Sequence, residues 1–466
     1  MLAWVLGAAA CGSSGTDPIA SAGSGGALVD AGAPSLPSAG APGGAGPLGH
    51  GGTAAGGGAA AGGAAGAASA GAPASGGSAG LAMGGGGAAG GTSGAAGAAP
   101  NLTWVGTWAA SPQGGGASYK QQTLRQIVHT SISGTEARIQ LSNAFGGQPV
   151  HVSDIHIAKR SNGSSIELTS DKVLTFAGQT SVTIAAGGVA VSDSVAFPVG
   201  ALSDVAVSFY LPDNTGSLTQ HQQGTQTSYV AAGDVSGKQD LTGTQSTGSY
   251  ALLANLDVKN ASALGAVATL GASITDGVGS GQNSNRRWPN DLAKRLNEAG
   301  KVVGVLNQGI SGNKLLADGA GESALKRFKR DVVDQPGIKW VIFSDDPIND
   351  LGGGAGRPTG AQLIAGLQQL VTAAHAAKIR FLCSTLTPFE GSGGWSPEGE
   401  ISRGQINAFI RGANSGCDGV IDQDTATHDP SSPTKFLASK HIGDFLHPNE
   451  AGLQAIADAV NLALFE

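Results

Sequence analysis

The apolar residues of this chain change their spacing near position 264, and that change limits the folds open to it more than any other feature. From Asn101 to about Ala263 the period is two, as in Ala137-Arg-Ile-Gln-Leu141, Val150-His-Val152, Ile155-His-Ile157, Ser181-Val-Thr-Ile184 and Val205-Ala-Val-Ser-Phe209. Gly, Pro, Asn and Asp interrupt these runs at short intervals, and no long helical stripe intervenes. Such a segment predicts an all-β sandwich or jelly-roll. After Gly265, strand-like runs fall at 266–270, 302–306, 340–344, 379–385 and 419–422. Helical stripes separate them: Trp288/Leu292/Leu296, Leu325/Phe328/Val332, Leu363/Leu367/Leu370/Ala374 and Ile406/Phe409/Ile410, with Leu453/Ile456/Val460/Leu464 closing the chain. Strands alternating with helices predict a parallel five-stranded sheet covered on both faces, a three-layer α/β/α domain. In such a sheet, ligands sit beyond the carboxyl ends of the strands.

The first hundred residues are a different material. They hold 32 of the 78 Gly, two charged groups (Asp17 and Asp30) and no Lys or Arg. Gly and Ala offer too little apolar side-chain area to offset backbone ordering, so a disordered tether is expected over 12–100. At about 5–6 Å × √n, its typical reach is about 50 Å. The Gly runs lack the strict three-residue period of collagen. Gly76-Gly77-Ser78-Ala79-Gly80 spells the G-x-S-x-G nucleophile elbow, but without a flanking strand and helix it is a decoy. Residues 1–11 end an apolar run, LAWVLGAAA, directly before Cys11. Small side chains before a cysteine suit a lipoprotein signal, so Cys11 is the candidate lipidation site, a plain secretory signal or a chance cysteine being the other readings; export, lipid-anchored to the cell envelope or secreted, is the expected fate. No basic residue precedes the run and Ala8 stands where a branched residue is usual; the first departure points to a longer signal peptide. The expected organisation is 1–11 signal segment, 12–100 linker, 101–263 β-domain and 264–466 α/β domain.

A net charge of −7 argues against a nucleic-acid partner, which needs a basic face. Three cysteines cannot form a disulfide framework, and Cys383 and Cys417 read as two buried thiols in preference to a pair. No other stretch approaches the roughly 20 apolar residues of a membrane span.

Four strand ends carry reactive or donor groups. The first strand runs into GASITDG at 271–277, where Ser273 would project from the sheet's carboxyl edge between small neighbours. The position also suits a helix N-cap serine. Thr275 occupies the place of a second Gly, so this is not an α/β-hydrolase elbow. The second strand ends in Asn307-Gln-Gly-Ile-Ser-Gly-Asn313, where Gly312 lets the backbone aim an N–H at a ligand, or simply makes a turn. The third ends in Asp345-Asp-Pro-Ile-Asn-Asp350, where Asn349 offers a side-chain N–H₂ or sits as an ordinary turn residue. Last, Asp444-Phe-Leu-His447 spaces a carboxylate and an imidazole at i, i+3, so the carboxylate can hold Nδ1–H and leave Nε2 free as a base. His441-x-x-Asp444-x-x-His447 has metal-ligand residue types but lacks the helical HExxH pattern, so no metal is expected.

Together the segments 271–277, 307–313, 345–350 and 444–447 resemble the SGNH (GDSL-type) hydrolase superfamily. TWVGTWAASPQ at 103–113, LRQIVHTSISG at 124–134, LSNAFG at 141–146, NRRWPNDLAKRL at 285–296 and LTPFEG at 386–391 are similar to a bacterial GDSL subgroup with an N-terminal β-domain, so the resemblance covers about 101–466. It implies a flavodoxin-like fold and a cofactor-free serine esterase. Ser273 would be the nucleophile, His447 the base and Asp444 its orienter; Ser273, Gly312 and Asn349 would form the oxyanion hole. The family's Gly-Asp-Ser is Gly271-Ala272-Ser273 here, which removes a carboxylate that supports the turn without being a triad member. Pro347 replaces a glycine, which could redirect Asn349. Asp345 and Asp346 are expected near the cleft rim, as plainly solvated carboxylates. With no long apolar lid segment, short acyl groups are expected, acetyl on polysaccharide by family analogy. Trp395 is a candidate substrate contact or a loop anchor, and the β-domain a glycan binder or a buttress. The other reading is a surface-tethered carbohydrate-binding or adhesion protein whose α/β domain is inactive.

Overall fold

A computed structural model describes residues 103–352 and 356–466. The expectations for the 1–11 segment, Cys11, the 12–100 tether and the 76–80 motif lie outside these described residues.

Among the described residues the N-terminal half is β-rich, built mainly on two antiparallel sheets. One sets Trp104–Ala109 beside Leu253–Lys259 and then Gly134–Ser142, with Val189–Val191 and Val195–Val199 along the outer side. The other runs Ser228–Ala232, Gln122–His129, Asp204–Leu211, Val150–Asn162. Val105, Ile139 and Leu256 from the first sheet share one core with Leu124, Val207 and Phe209 from the second. This is the burial that period-two sequences demand.

From Gly265 the chain alternates. We number the strands of this half β1 (Gly265–Gly271), β2 (Val303–Gly309), β3 (Ile338–Phe343), β4 (Arg380–Ser384) and β5 (Gly419–Ile421). All pair in parallel, in the order β2-β1-β3-β4-β5, and β1 is buried along its whole length. That order places the reversal of winding at β1, so the carboxyl ends of β1, β2 and β3 flank one crevice. The helices are α1 (Ser273–Asp276), α2 (Trp288–Glu298), α3 (Ala324–Phe328), α4 (Asp346–Leu351), α5 (Gly360–Ala376), α6 (Pro397–Arg411), α7 (Gln423–Thr427) and α8 (Glu450–Asp458). Helix α5 opens on a capping box between Thr359 and Gln362, and α6 on Ser396 with Pro397 behind it. The last apolar stripe is not one helix: α8 ends at Asp458, and Leu464 sits in a separate 3₁₀ turn.

Cys383 and Cys417 form a disulfide, with Cα atoms 5.8 Å apart, which corrects the expectation of two thiols. The cause is strand order: β4 and β5 are neighbours, with Cys383 opposite Val420, so the turn before β5 returns Cys417 to β4.

The β-rich and α/β halves pack into one unit. Gly304 on β2 has no room for a side chain, because a Cβ there would lie 2.0 Å from the Gly106 carbonyl oxygen. Polar groups bridge the seam as well: Ser111 Oγ donates to Gln308 Oε1 at 2.7 Å, and Arg327 Nη1 donates to Ser111 Oγ at 3.0 Å.

Candidate active site

Strand β1 ends at Gly271, and the chain turns through Ala272 so that Ser273 opens the single-turn helix α1, which Gly277 closes at φ 111°. Ser273 Oγ lies 2.8 Å from His447 Nε2. On the far side of the ring, His447 Nδ1 lies 2.6 Å from Asp444 Oδ2. A carboxylate accepts only, so Nδ1 carries the proton and Nε2 presents a lone pair to the serine hydroxyl. Asp444 Oδ1 accepts the N–H groups of Leu446 at 3.1 Å and His447 at 2.9 Å, which fixes the carboxylate within its own turn. Burial works to raise the Asp444 carboxyl, but the His447 N–H, the His447 ring and the Leu446 N–H outweigh it and hold it below the usual range. The turn runs through Phe445 at φ 61°, an uncommon conformation for a bulky residue. Its ring lies 4.9 Å from that of His441. His441 Nδ1 in turn accepts the Gly443 N–H at 3.0 Å, so His441 serves this loop. Among the described residues no group of three or more His, Cys, Asp or Glu is arranged to hold a metal.

Gly312, at φ 79°, and Asn349 line the same cleft as Ser273 and His447, a space of about 430 Å³. Among the described residues, neither the Ser273 nor the Gly312 N–H has a hydrogen-bond partner, although their neighbours do. The N–H groups of Ala272 and Ile274 go to Asp345, at 3.0 and 2.8 Å, and that of Ser311 goes to Asp276 Oδ2 at 2.8 Å. Asn349 Nδ2 donates one hydrogen to the Asn313 carbonyl at 2.8 Å, which sets the amide plane and leaves its second hydrogen unused. Pro347 does not upset this. It stands in the first turn of α4, where no N–H is needed and its fixed φ suits the helix.

Asp345 and Asp346 are not solvated rim carboxylates; they are 2% and 0% exposed. Asp345 reaches under the β1–α1 turn, taking the Thr275 hydroxyl at 2.6 Å in addition to the two N–H groups. A Cβ on Gly271 would lie 2.4 Å from Asp345 Oδ1. The carboxylate missing at Ala272 is thus replaced by one that enters from β3. Asp346 is held by Asn313 Nδ2 at 2.9 Å and by the buried Arg327 guanidinium at 3.4 Å. Burial pushes its carboxyl up to about 7, with Asp345 and Asp350 adding to the rise and Arg327 and Asn313 opposing it.

Sequence reasoning missed an ion pair behind the cleft. Asp276, the last residue of α1, takes the Ser311 hydroxyl through Oδ2 at 2.7 Å and faces His221 Nε2 through Oδ1 at 3.0 Å. His221 Nδ1 faces the Ser111 carbonyl at 3.1 Å, so both ring nitrogens donate and the ring is an imidazolium. Burial alone would push His221 down, but Asp276 outweighs it and holds it above the ordinary imidazole value. The β-rich half also supplies Gln113, Gln222 and Gln223 to the cleft wall. Asp276 and Gln113 stand inside the segments GASITDG and TWVGTWAASPQ, but nothing local in the sequence marks their role. Trp395 does not line the cleft; it packs against the α/β core.

Residues 269–455 match the family model described as GDSL-like Lipase/Acylhydrolase. Sequence comparison with curated proteins gives no match. Among solved structures, a GDSL-like lipase from Bacteroides thetaiotaomicron is 17% identical, with 43% of this chain and 88% of that one covered at a TM-score of 0.32. A family two carbohydrate esterase from Clostridium thermocellum is 12% identical over 77% of this chain and 93% of its own, at 0.32. An acetyl xylan esterase from Geobacillus stearothermophilus is 20% identical over 42% and 93%, at 0.33. Residues 269–455 are thus a GDSL-like lipase/acylhydrolase domain, and the protein is a carboxylic ester hydrolase.

Proposed function

We propose that the protein hydrolyses short-chain acyl esters, acetyl above all, on a carbohydrate alcohol, through an acyl-enzyme on Ser273. The observation that carries this is the unbroken line from Asp444 through His447 to Ser273 Oγ, at 2.6 and 2.8 Å, beside two N–H groups without partners among the described residues. As Ser273 Oγ attacks the ester carbonyl, its proton passes to His447 Nε2, and Asp444 stabilises the imidazolium that forms. The carbonyl oxygen becomes an oxyanion facing the N–H groups of Ser273 and Gly312 and the unused Asn349 hydrogen. Collapse of the tetrahedral intermediate breaks the C–O bond to the alcohol, which leaves with the proton from His447. Water then adds to the acyl-enzyme by the same route, releasing the carboxylic acid and restoring Ser273.

The short-acyl reading is supported by the cleft, which among the described residues has two apolar side chains in its lining, Val278 and Leu446. The test is incubation of the purified protein with p-nitrophenyl acetate and with a serine-directed phosphonate. Turnover, covalent label on Ser273 and loss of both in Ser273→Ala are expected. Binding to glycan without turnover or label would favour the carbohydrate-binding or adhesion reading. We extend the proposal to export and a lipid anchor on Cys11, supported by the apolar run before it. Labelled fatty acid should enter the wild-type protein and not Cys11→Ala.

A further inference from the structure

The β-rich half forms one wall of the cleft, and its chemistry says what rests there. Gln220–His221 pairs antiparallel with Tyr250–Ala251, Gln220 bridges to Gln113, and His221 is pinned by Ser111 and Asp276. The next two residues, Gln222 and Gln223, are therefore held on a fixed rail in the wall of the cleft that Ser273 and His447 also line. Gln113 is engaged at both ends of its amide: its Oε1 accepts the Gln222 N–H and its Nε2 donates to the Ala320 carbonyl, both at 2.9 Å. It acts as a strut. The amides of Gln222 and Gln223 have no hydrogen-bond partner among the described residues, and Gln222 is exposed. Among the described residues, no Lys or Arg lines the cleft.

An alkyl chain laid against two amides would strip their water and return nothing, so this wall disfavours the acyl side of an ester. Each amide offers one acceptor and two donor hydrogens, which matches neighbouring hydroxyls that both give and take a proton. We propose that Gln222 and Gln223 form the alcohol subsite of the esterase and recognise a neutral sugar ring carrying free hydroxyls next to the acylated one. The β-rich half is then a specificity element of the active site. This inference rests on the esterase reading above.

The test compares kcat/KM of the full chain on a partially acetylated xylo-oligosaccharide, which keeps free hydroxyls, and on p-nitrophenyl acetate, whose alcohol has none. The two side chains lie at the surface of the wall, so the Gln222→Ala/Gln223→Ala variant tests recognition with little demand on folding. Two to four lost neutral hydrogen bonds predict that the ratio of the two kcat/KM values, sugar acetate over aryl acetate, falls about 10–100-fold in this variant. An unchanged ratio, or a wild-type enzyme active on the aryl ester and inert on the sugar acetate, overturns the subsite. A wild-type enzyme inert on both esters and unlabelled by phosphonate overturns the esterase reading instead, and the subsite with it.

Discussion

Replacing Asp345 with Ala should damage both the fold and the activity of the protein, and the structure sets the scale. The substitution strands three donors at once: the N–H of Ala272, the N–H of Ile274 and the hydroxyl of Thr275, now bonded at 3.0, 2.8 and 2.6 Å. All three residues are essentially buried, so water cannot take the carboxylate's place without opening the turn. An orphaned buried donor costs about 1–3 kcal/mol, and three sharing one acceptor are not additive, so about 3–6 kcal/mol is expected. That is a large part of the roughly 5–15 kcal/mol that holds a folded protein. Activity should fall too, because the same bonds aim Ser273. Asp345→Asn keeps the shape but turns an N–H₂ toward at least one donor, and should lie between Ala and wild type. Urea unfolding followed by circular dichroism gives the first quantity, and turnover of p-nitrophenyl acetate the second. An Asp345→Ala protein within about 1 kcal/mol and threefold of wild type would refute the clamp.

Other outcomes follow from the same structure. Removing one oxyanion donor typically costs about 10²–10³ in turnover, so Asn349→Ala should slow p-nitrophenyl acetate hydrolysis by that order; a change under about threefold would remove Asn349 from the hole. Asp346, held up at about 7, keeps a proton in the folded state that the unfolded chain releases near its ordinary value of 3.8, so stability should decline as pH rises from about 4 to 7. Asp346→Asn should flatten that decline in urea titrations across the window, and an unaltered slope would count against the buried carboxyl. Reduction, or Cys417→Ser, should lower stability by about 2–4 kcal/mol through the 34-residue separation it releases, with alkylation of Cys383 only after reduction. Alkylation of the untreated protein at Cys383 would contradict the bridge.

What the sequence disclosed was local. The β1 run leading into Ser273 and the i, i+3 spacing of Asp444 and His447 are properties of short segments, and they could be read as soon as the strand–helix alternation assigned carboxyl ends. The features that stayed hidden depend on which strands are neighbours. A carboxylate after β3 is most often solvated; Asp345 is not, because β3 lies beside β1 with Phe343 opposite Leu270, which slides the next turn beneath the nucleophile. Cys417 was misjudged for the same reason, since only the adjacency of β4 and β5 returns it to Cys383. Gln222 and Gln223 carry no motif, and their approach to Ser273 follows from packing one half of the molecule on the other.

The His221–Asp276 pair has a consequence for anyone trimming this enzyme. A protein cut at the seam near residue 264 would keep every group that handles the scissile bond, yet lose the cation that neutralises Asp276 in a site where both are nearly sealed from solvent. The unpaired carboxylate would draw in water beside Ser311 and loosen the backbone that presents Gly312. The excised α/β piece would therefore be a crippled enzyme and not a minimal one, and exchanging β-halves between relatives would succeed only where a partner for that aspartate travels with the graft.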